Sequence, residues 1–148
     1  MAASREWYDH AHRTVWRTLR ICMRWWCSGV FAIPHTLGFP DRKRRREHWG
    51  THHQDFARHM SVAKYEAMAD RFLTRPLRPT MLPCTRPKGW MLRYDQGTGE
   101  FGVLSSDGMI RSYFKPIPCC WMPPAFVDKR WCHEYPDNYS YFVAECKK

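Results

Sequence analysis

The chain has 148 residues and carries 24 Lys and Arg against 14 Asp and Glu, a formal net charge of +10. That length suits one domain with a helical extension and a real core, and the charge favours a polyanionic partner, nucleic acid first and an anionic membrane surface second. No run of about 18 apolar residues is present, which argues against a membrane span, and the opening MAASREWYDHAHR lacks the cationic-then-apolar order of a secretory signal.

Ser4 is a helix N-cap candidate, followed by apolar residues at helical spacing: Tyr8, Ala11, Val15, Leu19, Cys22 and Trp26. Arg13, Arg17, Arg20 and Arg24 fall together on one side of that helix. The face reads as solvated, as a contact to a nucleic-acid backbone, or as a surface lying on an anionic membrane. Residues 29–40, with Pro34, Gly38 and Pro40, read as a linker.

Asp41 is followed by Arg42, Lys43, Arg44, Arg45 and Arg46, a cation run expected as a tether, a nucleic-acid contact or an import signal. His48 and His52 are four apart and share a face if the segment is helical. A metal would want a third ligand there, whereas two imidazoles meet the needs of general acid-base chemistry; solvated surface histidines are the plainer account. Ser61 caps a second helix, Val62–Thr74, whose stripe is Val62, Tyr65, Met68, Ala69 and Phe72, and Pro76 and Pro79 end it.

Residues 84–116 carry the strongest local signals. Runs 90–95, 100–105 and 109–115 are rich in aromatic and branched residues, and they are separated by Gln96-Gly97-Thr98-Gly99 and by Asp107-Gly108, a preferred hairpin dipeptide. Taking those as the turns sets Arg93 opposite Gly102, Gly102 opposite Tyr113, Met91 opposite Leu104, Leu104 opposite Arg111 and Ser106 opposite Met109. One face then carries Leu92, Tyr94, Phe101, Val103, Ile110 and Phe114 as core, with Ser105 and Ser112 at its margin. The other carries Met91, Arg93, Asp95, Glu100, Gly102, Leu104, Arg111, Tyr113 and Lys115. That second face is either an ordinary solvated surface or a phosphodiester site, since guanidinium, ammonium and phenol groups converge around a glycine that leaves room for a ligand.

Residues 116–124 are an irregular proline-rich connection, and residues 138–146 return to a short ordered element. Helices first and strands after predict an α+β fold, with N-terminal helices packed on a small antiparallel β-meander. The seven cysteines, without a repeated CxxC spacing, read as reduced thiols in a cytosolic setting. Cys119, Cys120, Cys132 and His133 supply four possible zinc ligands, though in no common structural pattern.

Taken in order, His48-Trp49-x-x-His52, Gln54-Asp55-Phe56, Tyr65-Glu66-Ala67-Met68-Ala69-x-x-Phe72-Leu73, Arg93-Tyr94-Asp95, Thr98-Gly99-Glu100-Phe101-Gly102-Val103 and Asp107-Gly108-x-Ile110-Arg111-Ser112-Tyr113-Phe114-Lys115-Pro116 form a pattern. It resembles the barnase/EndoU/colicin/RelE-like ribonucleases, and within them the C-terminal toxin domains of contact-dependent inhibition and related polymorphic toxins. His133-Glu-Tyr135-Pro-Asp-Asn138-x-x-Tyr141-Phe142 is similar to that family's closing segment. The resemblance covers about residues 46–146 and divides the chain into a basic helix and linker, 1–45, and a ribonuclease-like domain, 46–148. His53 replaces the glycine usual after the second histidine, residues 117–131 look inserted, and residues 1–45 find no counterpart.

What the resemblance implies is a small metal-independent and cofactor-free endoribonuclease, often acting on tRNA. It further implies a cytoplasmic site of action, non-classical delivery and a possible cognate immunity protein. The expected catalytic set is His48 and His52 as acid and base, Arg93, Arg111 and Lys115 as donors to the phosphorane, and Tyr113 and Ser112 as secondary groups, Ser112 ranked last because the register puts it on the other face. Arg42, Lys43, Arg44, Arg45, Arg46 and Arg86 are expected to hold RNA. The alternatives are a non-catalytic basic RNA-binding module, an inactive relic of such a toxin, or a first helix on a membrane.

Overall fold

A computed structural model of the chain describes residues 35–122 and 132–148. The chain divides into two units, Met1–Ala32 and Ile33–Lys148; the expected first helix, with Arg13, Arg17, Arg20 and Arg24, lies outside the described residues. Among the described residues the order is helix α1 (Arg42–His52), helix α2 (Val62–Thr74), strands β1 (Met81–Thr85), β2 (Met91–Asp95), β3 (Phe101–Leu104) and β4 (Ile110–Phe114), a short parallel pair β5 (Ile117–Pro118) and β6 (Cys132–His133), and helix α3 (Asn138–Cys146). Strands β1 to β4 form one antiparallel sheet in chain order. The fold is α+β, with the helices mostly ahead of the sheet. No helix among the described residues is long and apolar enough to cross a membrane.

Helix α2 begins and ends where the sequence predicts. Ser61 accepts from the Lys64 amide at 3.2 Å, and Arg75 turns extended ahead of Pro76, where a helical conformation would clash with the proline ring. The helix buries Tyr65, Ala69, Phe72 and Leu73. Together with Phe39, Met60, Met81, Leu104, Ile110 and Tyr113 they form one core cluster. On the opposite side of the sheet Phe142 of α3 joins Leu92, Tyr94, Phe101 and Val103 in a second.

The face expected to be solvated is therefore the floor of the α2 core. Tyr113 and Asp95 have no exposed surface. The pairing of Arg93 with Gly102 and of Gly102 with Tyr113 is as predicted, but what approaches Gly102 is α2 and not a ligand. A Cβ there would sit 3.0 Å from side-chain carbons of both Phe72 and Leu73.

The β3–β4 turn differs from the two-residue hairpin expected. The Ser105 amide bonds Met109 and the Gly108 amide bonds Ser105, with Gly108 at φ 84°, so Ser106, Asp107 and Gly108 form a three-residue loop. Leu104 then faces Ile110 while Val103 faces Ser112, and Arg111 is left as the extra residue of a bulge. Ile110 passes to the α2 core as a result. β1, which the sequence reading left unassigned, is an edge strand, a position that tolerates Pro83.

The segment read as a linker docks on the domain. The Leu37 amide bonds the Gly108 carbonyl, the Ile110 amide bonds Gly38, Thr36 bonds Asp70 through both its amide and hydroxyl, and Phe39 is buried in the α2 core. Nor is the cation run a tether, for it forms the first half of α1. Asp41 caps that helix by accepting from the Arg44 amide at 2.7 Å, and Arg45 pairs with Glu66 of α2 at 2.7 Å.

The cysteine expectation is overturned at four positions. Cys84 pairs with Cys146, tying β1 to the end of α3 across 62 residues, and Cys119 pairs with Cys132. A closed loop of the first size is worth about 4 kcal/mol in chain entropy. Cys120 is a free, exposed thiol. With Cys119 and Cys132 joined, two of the four possible zinc ligands are taken, and no cluster of three or more metal-ligating residues occurs among the described residues.

Candidate functional site

β4 is the outer strand of the sheet, and α1 runs beside it. His48 and His52 lie one helical turn apart with ring centroids separated by 6.2 Å, and both are half-buried. The helix is set by its other side, where the Trp49 indole donates to the Met60 carbonyl at 2.7 Å and the His53 Nδ1 closes the helix on the Trp49 carbonyl at 2.7 Å. His53 thus caps α1.

Two hollows open between α1 and the β4 edge. The first, of about 450 Å³, is lined by Phe39, Asp41, Arg44, His48, Trp90 and Arg111. The second, of about 330 Å³, is lined by Thr51, His52, Ser112, Phe114, His133 and Tyr141. The contact of the two imidazoles joins one to the other, and the bulge delivers Arg111 and Ser112 to them. Arg111 is held in place: its Nε donates to Ser105 Oγ at 2.9 Å, its Nη2 bonds Asp107 at 3.1 Å, and its guanidinium lies 5.4 Å from the centre of the Trp90 ring.

The two histidines differ in environment. His48 stacks on Phe39 at 5.2 Å; burial first, and then the nearby charges of His52 and Arg44, hold its pKa below the ordinary 6.5, with Glu47 opposing. Burial thus favours the neutral form of the His48 imidazole. His52 has its Nδ1 3.2 Å from the Asp55 carboxylate, which leaves Nε2 as the nitrogen available to the second hollow. Asp55 also accepts from the Lys115 amide at 3.3 Å, linking the end of α1 to the end of β4.

Of the expected catalytic set, the structure brings together His48, His52, Arg111 and Ser112. Ser112, ranked last on the predicted register, lines the hollow with His52. Arg93 is elsewhere: its guanidinium is turned under α2, donating to the carbonyls of Phe72 at 3.2 Å and Arg75 at 2.6 Å. Burial, and after it the charge of Arg75, lower its pKa. Tyr113 is a core residue whose hydroxyl donates to Glu100 and whose carbonyl accepts from Tyr65; burial, and then the Glu100 bond, push its pKa up. The predicted convergence of Arg93, Tyr113 and Arg111 on one open face fails, because α2 covers that face and the bulge removes Arg111 from it. Lys115 extends its ammonium over the Phe56 ring at 5.5 Å, outside both hollows.

Among the residues expected to hold RNA, Arg42, Lys43, Arg44 and Arg46 are exposed on α1, whereas Arg45 is taken up by Glu66. Arg86 is internal, bonding the Glu145 carboxylate at 2.6 Å and the Glu145 carbonyl at 2.7 Å. Five cations at the start of a helix oppose its dipole; among the described residues Asp41 caps the helix, Glu47 pairs with Lys43 and Arg44, and Glu66 pairs with Arg45. Of the exposed cations, Arg44 lines the first hollow, together with Asp41.

Trp90, Asp55, His133 and Tyr141 are site residues that sequence reasoning did not assign. Asp55 was open to detection, standing three residues after His52. His133 and Tyr141 stand in the closing segment of the resemblance, which gave them no role at this site, and Trp90, in the connection ahead of β2, carries no local signal. The His133 ring stacks on Tyr141 at 4.5 Å, and its Nε2 lies 2.8 Å from Asn138 Oδ1. Compared with known proteins, the chain matches no family model and no curated sequence.

Proposed function

We propose that the groove between α1 and β4 is the active site of a metal-independent endoribonuclease of the toxin kind, acting on tRNA or another structured RNA. The single observation that carries this reading is the placing of a half-buried imidazole and a carboxylate-held imidazole side by side near a fixed arginine, beside an exposed cationic helix turn. His48, neutral, takes the 2′-hydroxyl proton. The 2′-oxygen attacks phosphorus and the bond to the 5′-oxygen breaks, that oxygen receiving a proton from Nε2 of His52, whose Nδ1 faces Asp55. Arg111 opposes the charge of the phosphorane, and the Ser112 hydroxyl contributes a hydrogen bond. The products are a 2′,3′-cyclic phosphate and a 5′-hydroxyl. The exposed cations Arg42, Lys43, Arg44 and Arg46 hold the flanking backbone.

The resemblance to contact-dependent inhibition toxins supports the same reading, and with it a cytoplasmic site of action, a route of delivery into target cells and a cognate immunity protein that covers this groove. The test is incubation of the disulfide-bonded protein with end-labelled tRNA and with DNA, with and without EDTA. Cleavage of tRNA alone, to 2′,3′-cyclic ends and unaffected by EDTA, is expected. DNA cleavage or loss of activity in EDTA overturns the chemistry, and salt-sensitive tRNA binding without turnover replaces it with a non-catalytic module.

A further inference from the structure

We propose that residues 36–39 are a positioning element of the active site, in which Phe39 sets the place of His48. This rests on the ribonuclease reading and adds to it residues from outside the stretch that carries the resemblance.

The segment is pinned at three places. Its start is held by Asp70 of α2, whose Oδ1 accepts from the Thr36 amide at 2.6 Å and from the Thr36 hydroxyl at 2.7 Å. Its middle bonds both sides of the β3–β4 loop, the Leu37 amide donating to the Gly108 carbonyl and the Ile110 amide to the Gly38 carbonyl, each at 2.8 Å. Its end is held by Glu66 of α2, whose Oε1 accepts from the Phe39 amide at 3.3 Å while Oε2 takes the Arg45 guanidinium of α1 at 2.7 Å. One carboxylate therefore ties the segment and the helix bearing His48 to the same point of α2. The backbone turns at Gly38, φ 77°, where a side chain is disfavoured and a Cβ would stand 2.8 Å from Glu66 Oε1.

Phe39 makes the contact that reaches the chemistry. It is 7% exposed, and its ring stacks on Tyr65 at 6.1 Å and on His48 at 5.2 Å. Tyr65 has no exposed surface, so the stack stands on the α2 core. A reacting side chain keeps a useful geometry when packing locks its rotamer, and Phe39 is the buried ring that packs on His48. The same contact keeps water from one side of the imidazole.

NMR titration of the assigned His48 ring protons, read beside kcat and KM on tRNA, tests the segment with Gly38→Ala, Phe39→Ala and Phe39→Leu. Gly38→Ala strains the turn and crowds Glu66, and Phe39→Ala removes the ring. Each should raise the His48 pKa toward 6.5, because burial is the main cause of its lowering. The charged and titratable groups around that ring, Asp41, Arg44, Glu47, His52 and Arg111, are the same in all three variants. Each should also lower kcat by about 10- to 10²-fold, as a small misplacement of a reacting group does. KM should change little, since Arg42, Lys43 and Arg46 stay exposed on α1. Phe39→Leu restores an apolar cover and should recover most of both readouts. Should Phe39→Ala fail to fold, Gly38→Ala carries the same test. A wild-type His48 titration in folded Gly38→Ala protein, or activity lost only in proportion to the unfolded fraction, overturns the proposal. Movement of the titration in a protein that cleaves no RNA upholds the hold on His48 and removes the ribonuclease reading. Cleavage of tRNA at full kcat by Gly38→Ala and Phe39→Ala does the reverse.

Discussion

Under α2 the sheet holds Arg93, Asp95, Glu100 and Tyr113, and each is committed to the fold: Arg93 to two carbonyls, Asp95 to Arg78 and Arg75, Glu100 to Arg75 and Tyr113. Burial alone would raise the Asp95 carboxyl, but hydrogen bonds from Thr80, Arg78 and the Gly97 amide carry it below the ordinary carboxylate value. Along the outer edge of β4 the same residue types are anchored on one side only. Arg111 keeps a free Nη1 among the described residues, and His52 keeps a free Nε2. Polar groups enclosed by a packed helix must satisfy one another. Groups at an edge covered only partly by α1 retain hydrogen-bonding capacity for a ligand. Two arginines of one sheet thus have opposite roles, decided by which element packs over them.

The sharpest break of this comparison is at the histidines. His52→Ala and His48→Ala should each lower tRNA cleavage by about 10²–10⁴-fold while leaving the urea midpoint nearly unchanged, because neither ring is fully buried. Full activity in both variants removes the edge as the site.

The two arginines come next, measured side by side. Arg111→Ala should reduce cleavage about 10²–10³-fold, as expected for loss of one donor to a developing anion, with a small change in stability. Arg93→Met should do the opposite, losing about 2–3 kcal/mol in urea unfolding for its charged hydrogen bonds, with cleavage per folded molecule retained. A reversed pattern would show that the site lies under α2.

Gly102→Ala probes the same covered face at smaller scale. The new methyl meets Phe72 and Leu73 at 3.0 Å, and overpacking of this kind costs about 1–3 kcal/mol, read as a lowered melting temperature without a change in RNA binding.

The smallest effect is on pH dependence. The His48 pKa is lower folded than the 6.5 of the free imidazole, so the unfolded chain binds more protons in that window. Its contribution to stability is complete above about pH 6.5 and is lost as pH falls toward the folded pKa. The acid limb of kcat/KM for the His48 base should accordingly lie below 6.5. Glu47→Gln, which removes the one charge raising the His48 pKa, should move that limb further to acid.

Much of the domain was legible without coordinates. Ser61 and the Val62–Thr74 stripe, the registers of Arg93 on Gly102 and Gly102 on Tyr113, and the shared face of His48 and His52 all follow from spacing and capping, because helical and strand periods act over a few neighbouring residues. Alternation along a strand shows which side chains share a face. It does not show what lies on that face.

Three decisions belonged to the tertiary structure. Packing of α2 onto the polar-looking face enclosed Arg93 and Tyr113, since the helix stripe needed an apolar floor and Leu104, Ile110 and Met81 supplied it. The lengthened turn at Gly108 set the bulge that carries Arg111 to the edge, a choice made by hydrogen bonds among Ser105, Asp107 and Met109. The pairing of Cys84 with Cys146 and of Cys119 with Cys132 required Cα atoms brought to 6.1 Å and 4.8 Å by the whole fold. Local sequence sets the elements and their periodic faces; long-range packing decides which face is covered, and so which charges remain open to a ligand.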